Sequence, residues 1–250
     1  MTSNVFILSA TITPPRGAAQ LARTDPKIRL NDYVTALAFY IEQVKSGIIT
    51  GLVFADNSNS DISELQKMAA TSGIENKIEF ISFYGLDYAP TFGRGYGEFK
   101  LVDYVMEHST IIQSQPATAK IWKVTGRYIL RNIREIIDTA PSSFDFYCNC
   151  RNIPEHWIDL YVLCWSKNGH NQILRGIYEK LKEGDIKGSA EHEFRRILDK
   201  LSTDLKIVKR FRRVPILEGI RGLDNQSYAD MRMKLIARRI AARLFPWLWI

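Results

Sequence analysis

The residues NVFILSATIT at positions 4–13 are mostly apolar, include several β-branched side chains and precede Pro14. This pattern predicts a buried strand that runs into a loop. The segments that follow alternate between helical spacing and continuous apolar runs: a helix at 30–44, a strand at 48–55, a helix around 65–69 and a strand at 77–83. The alternation predicts an α/β fold with a mostly parallel sheet flanked by helices.

The pattern changes after residue 83. Residues 84–100 contain four glycines and many aromatic residues, which predicts a long loop. A helix carrying Phe99, Val102, Val105 and Met106 follows. The remaining predicted elements are strands at 121–125, 144–150 and 160–165, and helices at 128–137, 171–182 and 191–205.

The composition excludes several classes of protein. The chain has 250 residues, of which 46% are hydrophobic and 24% charged, so we expect a folded globular protein and not a disordered one. No apolar run is long enough for a transmembrane helix, and no basic segment precedes the first apolar stretch, so a secretory signal is not expected. Three cysteines (Cys148, Cys150 and Cys164) do not form a disulfide framework and indicate a reducing compartment.

The positive charge is concentrated at the C-terminus. Residues 201–250 hold eleven basic and four acidic residues, which accounts for the whole net charge of +7. Such an asymmetry indicates an anionic partner, either nucleic acid or membrane lipid. An apolar stripe at helical spacing runs through the same region: Met233, Ile236, Ile240, Leu244 and Trp247. The alternative is a terminal helix that packs on the body with solvated arginines.

Polar residues follow the second predicted strand. Asp56 and Asn57 would lie at the carboxyl end of the sheet, where open α/β sheets bind ligands. A carboxylate there can accept hydrogen bonds from a base or a ribose. The alternative is a plain turn with a helix cap.

Two further segments offer cations beside glycines. Gly93–Lys100 opens a predicted helix, where glycines would let backbone amides approach a phosphate and where Arg94 and Lys100 would add charge. Lys123–Tyr128 ends a predicted strand, and Lys123 and Arg127 could clamp a diphosphate. The alternatives are a surface loop in the first case and a strand-to-helix turn in the second.

Taken together, these motifs resemble a group of bacterial glycosyltransferases that assemble O-antigen and capsular polysaccharide. The resemblance rests on Thr-x-x-Pro from Thr11, Arg29-Leu30-x-x-Tyr33, Asp56-Asn57-Ser58, Gly-Tyr-Gly-Glu-Phe-Lys at 95–100 and Lys-x-Thr-Gly-Arg-Tyr at 123–128. It implies a GT-A-like Rossmann-type fold. The implied units are a glycosyltransferase domain at 1–205, with a nucleotide-binding half at 1–130 and an acceptor half at 131–205, and a basic amphipathic tail at 206–250.

The resemblance also implies a nucleotide-sugar donor, with a UDP-sugar as the first guess, and no bound cofactor. The expected catalytic carboxylates, one of which would deprotonate the acceptor hydroxyl, are Glu191 first and then Glu98 and Asp103. The expected substrate-binding residues are Thr11, Arg29, Asp56, Asn57, Arg94, Lys100, Lys123, Thr125, Gly126, Arg127 and His192. GT-A enzymes usually carry a metal-binding Asp-x-Asp where this chain reads Asp145-Phe146-Tyr147-Cys148-Asn149-Cys150-Arg151, which predicts a metal-independent enzyme.

In such a group the acceptor is lipid-linked and the enzyme is cytoplasmic, peripheral on the inner face of the bacterial inner membrane. Residues 231–250 would then bind the anionic membrane surface. Two rival hypotheses remain. One is a non-catalytic membrane-recruited scaffold with the same fold, and the other is a nucleic-acid-binding module that uses the basic tail. Because the body of the chain is neutral, we expect no nucleic-acid partner.

Overall fold

A computed structural model describes residues 3–15, 17, 21–184, 186, 188–201 and 204–249, with the backbone alone at 231, 232 and 246. The strands are β1 (Asn4–Ala10), β2 (Gly51–Asp56), β3 (Ile78–Ser82), β4 (Lys120–Thr125), β5 (Ile129–Leu130), β6 (Phe146–Tyr147), β7 (Cys150–Arg151), β8 (Trp157–Ile158), β9 (Val162–Trp165), β10 (Ile207–Val208) and β11 (Leu217–Glu218). The helices are α1 (Pro26–Lys45), α2 (Ser63–Ala70), α3 (Gly93–His108), α4 (Thr110–Gln113), α5 (Ile133–Asp138), α6 (Lys167–Gly169), α7 (Ala190–Lys200) and α8 (Arg232–Leu244). Shorter 3-10 turns occur at Glu75–Lys77, Pro90–Phe92, Ile177–Lys180, Tyr228–Met231 and Pro246–Leu248, and a π turn occurs at His170–Leu174.

The main sheet has seven strands within the described residues, in the order β10-β6-β9-β4-β1-β2-β3. β1 pairs in parallel with β2 on one side and with β4 on the other, and β9 runs antiparallel to both of its neighbours. The predicted α/β class and the mostly parallel sheet are therefore confirmed. The division of the chain into a nucleotide-binding half and an acceptor half stays a prediction.

Alternate residues of each central strand pack into two different cores. Phe6 and Leu8 of β1 face one core, together with buried residues of α1, α2 and α5. Val5 and Ile7 face the other core, together with buried residues of α3 and α7. This two-sided burial explains why β1 reads as a continuous apolar run instead of an alternating one.

The predicted loop at 84–100 is partly helical, because α3 already begins at Gly93. Glycine is a poor helix former, yet a Cβ at Gly95 would collide with Ala190, and one at Gly97 would collide with the hydroxyl of Tyr88. Tertiary contacts therefore need glycine at these helical positions, and this need outweighs the local propensity.

Two predicted helices are wrong in part. In the segment 128–137, Ile129–Leu130 forms a strand that pairs with Leu217–Glu218, and the helix starts only at Ile133. The segment 171–182 forms a π turn and a 3-10 turn, because Gly176 adopts a left-handed backbone conformation (φ +72°) between them. Both departures depend on features that helical spacing of apolar residues does not reveal.

The region after residue 205 is not a separate tail throughout. β10 extends the main sheet beside β6, and β11 pairs with β5. The predicted amphipathic helix is present as α8 and starts at Arg232. The three cysteines are buried and free, as expected for core residues.

Candidate active site

We call the edge of the sheet at the carboxyl ends of β1, β2 and β4 the crevice, because open α/β sheets of this topology bind ligands there. The chain leaves β1 toward β2 and β3 on one side, and later returns to place β4 on the other side. Such a topological switch point separates the loops and opens a crevice between them. Thr11 follows β1, Asn57 follows β2, and Thr125 ends β4, so these residues border the crevice.

A buried lysine lies beside this crevice. Lys123 of β4 faces the core that contains α3 and is fully buried. Its Nζ donates to the Leu160 carbonyl at 2.6 Å and to Thr125 Oγ1 at 3.3 Å, and it forms an ion pair with Glu98 of α3. Burial lowers the pKa of Lys123, whereas the nearby carboxylates of Glu98 and Glu191 act in the opposite direction. We call Glu98, Lys123 and Glu191 the charged centre.

Glu98 is the most firmly held carboxylate of the charged centre. Its Oε1 accepts from Ser9 Oγ at 3.0 Å and from Thr125 Oγ1 at 3.3 Å, and it is also the atom that pairs with Lys123. The side chain keeps 23% of its surface exposed, so it can contact a ligand in the crevice. The result is a fixed negative charge that remains accessible.

A second acidic group faces the same place from α7. Glu191 lies in the first turn of α7, close enough to Lys123 and to Glu183 to act on the pKa of each. Burial raises the pKa of Glu183, Arg94 opposes this effect, and Glu191 adds to it. Sequence reasoning missed Glu183, which packs against Gly93 at the start of α3. We call Glu183 and Glu191 the acidic pair.

Two buried arginines lie on the other side of Thr11. Arg29 of α1 donates through Nε and Nη2 to the Thr11 carbonyl at 2.8 and 2.5 Å, and through Nη1 to the Arg23 carbonyl at 3.0 Å. Arg127 donates through Nη1 to the Ile220 carbonyl at 2.8 Å, while its buried Nε has no hydrogen-bond partner among the described residues. Both side chains are more than 90% buried.

These two arginines, the arginine pair, are close enough to repel each other. Burial lowers the pKa of Arg29, Tyr33 opposes this effect, and the charge of Arg127 adds to it. Asp32 is a carboxylate that acts on the pKa of both arginines, and it already forms an ion pair with Arg23 at 2.5 Å. Burial lowers the pKa of Arg127, but Tyr33, Tyr128 and Asp32 act in the opposite direction and the pKa is raised. The hydrogen bonds of the arginine pair go mainly to carbonyl oxygens.

The structure corrects the prediction that Asp56 binds a nucleoside directly. Asp56 is fully buried, and its two oxygens accept from the amides of Ile12, Ser58 and Ser60 and from Ser58 Oγ. It therefore holds the loops after β1 and β2 in place. Asn57 is also buried, and it joins Thr11 Oγ1 (2.7 Å) to the carbonyl of Gly97 (3.4 Å).

The predicted phosphate contacts are corrected in two places. The Nζ of Lys123 is occupied by Glu98, the Leu160 carbonyl and Thr125 Oγ1, so this lysine has no donor left for a diphosphate clamp with Arg127. The glycines of 93–97 allow α3 to pack against protein side chains and not against a phosphate. Gly126 permits a similar close approach, because its amide donates to the Ser9 carbonyl at 2.8 Å.

Four other predicted residues contact groups outside the charged centre. Asp103 accepts from His170 Nε2 at 2.9 Å and from the Gly176 amide at 2.7 Å, so it fixes the irregular turns at 170–180 and is not a catalytic candidate. His192 contacts Ser189 (3.0 Å) and Glu155 (2.7 Å). Lys100 pairs with Asp87 at 2.5 Å, and Arg94 is exposed near Glu183.

The residues at the usual metal-binding strand do not fit a metal ion. Asp145 accepts from Ser166 Oγ (3.1 Å), Asn168 Nδ2 (3.0 Å) and the Lys206 amide (3.0 Å), which ties it to neighbouring loops. No group of three or more His, Cys, Asp or Glu side chains suited to a metal occurs in the part of the chain that the structure describes. Metal independence stays a prediction.

The C-terminal helix contacts the body and also exposes apolar residues. Arg238 Nη2 lies 3.2 Å from Oδ2 of the buried Asp159. The side chains of the predicted stripe are exposed to solvent: Met233, Ile236, Ile240, Leu244 and Trp247. Among the described residues, no helix is long and apolar enough to cross a membrane.

No family model and no curated protein matches the chain. Among solved structures, a protein described as a nucleotide-diphospho-sugar transferase from Desulfovibrio desulfuricans G20 matches with a TM-score of 0.49 and 9% identity, over 84% of this chain and 80% of that one. The apo structure of WbbM, a bifunctional glycosyltransferase, matches with a TM-score of 0.41 and 8% identity, over 78% of this chain and 36% of that one. Because both TM-scores are below 0.5, neither likeness bears on the activity of this chain, and the resemblance to polysaccharide glycosyltransferases stays a prediction.

Proposed function

We propose that this protein is a glycosyltransferase that moves a sugar from a nucleotide-sugar donor to a hydroxyl acceptor. The observation that carries the proposal is the charged centre, in which an accessible carboxylate is fixed by a buried lysine at the switch point of a mostly parallel sheet. Ion pairs can be purely structural, but a buried lysine on the inner face of a central strand is costly to maintain. Functional sites are where such costs are commonly found.

The carboxylates suit the two demands of glycosyl transfer. Positive charge develops at the sugar carbon, and Glu98, which the contact with Lys123 holds in place, would stabilise that charge. The acceptor hydroxyl must lose a proton, and the acidic pair would take it. Glu191 is our first candidate for this base, and the raised pKa of Glu183 makes it the alternative.

The departing diphosphate needs positive charge, for which we propose the arginine pair. Arg29 contacts the Thr11 carbonyl after β1, and Arg127 lies in the turn after β4, so both are at the same edge of the sheet as the charged centre. Arginine is well suited to phosphate because its guanidinium offers several donors in one plane. We further propose that the donor is a UDP-sugar and that no metal ion is required.

The acceptor and the location of the enzyme follow from α8 in this proposal. The exposed apolar stripe lies on a helix that also carries Lys234, Arg239 and Arg243 on its surface. A helix with this composition suits the surface of an anionic bilayer. We propose a lipid-linked acceptor in bacterial surface polysaccharide synthesis, and a peripheral position on the inner face of the inner membrane.

A thermal-shift screen tests the donor class. The purified chain is heated with UDP-, GDP-, CMP- and dTDP-sugars, each with and without Mg²⁺ or Mn²⁺. A ligand that binds the native state raises the melting temperature by mass action. We expect a shift with UDP-sugars that does not need the metal. The absence of a shift with every nucleotide would contradict the proposed function and leave the non-catalytic scaffold as the better hypothesis.

A transfer assay with the donor that the screen identifies then distinguishes between Glu191 and Glu183 as the base. In the acidic pair, Glu191→Gln should abolish transfer while the nucleotide-induced shift remains, because the base contacts the acceptor and not the nucleotide. Glu193→Gln is the control on the same turn of α7. Full activity in Glu191→Gln with loss in Glu183→Gln would assign the role of base to Glu183.

A further inference from the structure

Asp159 connects the C-terminal helix to the body. This carboxylate is 3% exposed and lies directly after β8. It accepts from Asn149 Nδ2 and from the Tyr161 hydroxyl, each at 2.7 Å, and forms an ion pair with Arg151. Arg238 of α8 is its fourth partner, at 3.2 Å. A buried carboxylate thus depends partly on a donor that the tail supplies.

The residues beside Asp159 hold the charged centre. The Leu160 carbonyl accepts from Lys123 Nζ at 2.6 Å, and the Tyr161 carbonyl accepts from the Thr125 amide at 3.0 Å. Lys123 and Thr125 are two of the three residues that donate to Glu98 Oε1. In the segment 159–161, Asp159 therefore contacts Arg238 of the tail, while the next two residues contact Lys123 and Thr125, which donate to Glu98.

We propose that Arg238 is a positioning residue of the charged centre. The contact of α8 with Asp159 would keep the side chains of Lys123 and Glu98 in their paired positions. Without Arg238, Asp159 is drawn toward its remaining donors, Arg151 and Asn149, because a buried carboxylate must keep its charge compensated. The backbone of 159–161 moves with it and displaces the acceptor of Lys123. The proposal rests on the proposed function in one respect, because it treats the charged centre as the active site.

A second contact of the tail makes this role separable from simple attachment. The Trp249 carbonyl accepts from the Asn152 amide at 2.7 Å, and the guanidinium of Arg195 lies 5.4 Å from the centre of the Trp249 ring. Loss of the Arg238 contact therefore leaves the chain after α8 attached to the body. A change at the charged centre in that variant would report the lost ion pair and not a detached tail.

Hydrogen exchange measured by mass spectrometry on the full chain tests the positioning role. Arg238→Ala, Arg238→Lys and the control Arg239→Ala are compared with the wild type. Arg239 is an exposed arginine on the same helix, so its removal changes the charge of the tail equally. We expect exchange at 121–125 and 160–163 to become about tenfold faster in Arg238→Ala, because a lost charged hydrogen bond lowers the free energy of local opening. Arg238→Lys should restore part of the protection, and Arg239→Ala should match the wild type.

Faster exchange limited to 232–249, with 121–125 unchanged, would overturn the positioning role. So would equal effects of Arg238→Ala and Arg239→Ala. If Arg238→Ala proves too unstable to purify, the same comparison is made with Arg238→Lys against Arg239→Lys. None of these readouts needs a donor sugar, so a failed thermal-shift screen would overturn the proposed function and leave the exchange result standing.

Discussion

Lys123 and Glu98 form an ion pair in which the lysine is fully buried and the glutamate is partly open to the crevice. The two residues come from β4 and α3, on adjacent layers of the fold. The exposed side of Glu98 is available to a ligand, while Lys123 is not. In the proposed function, the lysine would therefore hold the site and the glutamate would contact the substrate.

Removing only one partner of this pair should destabilise the fold. Lys123→Met removes the ionic partner of Glu98 and the donor to the Leu160 carbonyl, and we expect a loss of about 3 kcal/mol in the free energy of unfolding. The double variant Lys123→Met/Glu98→Gln should recover part of that loss, because no uncompensated charge remains. Urea denaturation measures both. A double variant less stable than Lys123→Met would show that the pair is not the source of the effect.

The arginine pair should bind inorganic pyrophosphate. Isothermal titration calorimetry of the wild type is compared with Arg29→Met and Arg127→Met, each of which should weaken binding about tenfold or more, since a hydrogen bond to a charged group contributes about 1.5–3 kcal/mol. Arg131→Met is the matched control, because Arg131 is half exposed and pairs with Glu218 on the outside. Equal affinity in all four proteins would exclude the arginine pair as a phosphate site.

The raised pKa of Glu183 makes stability depend on pH. Between about 4.5, the ordinary value, and the raised folded value, the native state binds more protons than the unfolded state, so stability falls as the pH rises through this window. Glu183→Gln removes this loss. Its melting temperature relative to the wild type should therefore increase from pH 4 to pH 8, measured by calorimetry.

Glu179→Gln provides the opposite sign as a control. The pKa of Glu179 is lowered, chiefly by its hydrogen bond with Lys182, so its charge contributes stability above the ordinary pKa that is lost as the pH falls. This variant should become relatively less stable from pH 4 to pH 8. Parallel trends in the two variants would mean that folding does not raise the pKa of Glu183.

The apolar stripe of α8 should bind anionic vesicles. In flotation assays we expect the wild type to float with phosphatidylglycerol vesicles, and Ile236→Ser/Ile240→Ser to remain largely in solution, because both side chains are about half exposed and their apolar area drives insertion. Ile28→Ser is the control, since Ile28 is 46% exposed on α1. Flotation of the double variant at the wild-type level would contradict a membrane role for the stripe.

The central part of the fold could be predicted from the sequence because each element carries its own pattern. The strands β1 to β4 lie within a few residues of the predicted ones, and continuous apolar runs reveal burial on both faces. Lys123 could also be recognised as unusual from the sequence, because it is an ionic residue within the mostly apolar strand β4. Glu98 could be predicted as a candidate site residue, but its contact with Lys123 could not, because the two residues come from different parts of the chain.

The rest of the site depends on contacts that no local pattern encodes. The two-residue strands β5 and β11 form by pairing with each other, although more than 80 residues of sequence separate them. The glycines of 93–97 predict backbone amides that can approach a phosphate at a helix start, whereas in the structure Gly95 and Gly97 allow α3 to pack on Ala190 and Tyr88. Glu183 gave no signal, because its burial follows from the way the turn at 183–184 lies against Thr91 and Phe92.

Arg238 and Trp249 attach α8 and the residues after it to the body, so in the proposed function this segment would act as a fixed spacer and not as a flexible tether. A flexible tether would let the crevice reach acceptors over a range of heights above a surface, set by the length of the linker. A docked helix holds the crevice at one height and one tilt once its stripe rests on a bilayer. Acceptors would then be selected by the distance of their free hydroxyl from the membrane plane, in addition to their chemical identity.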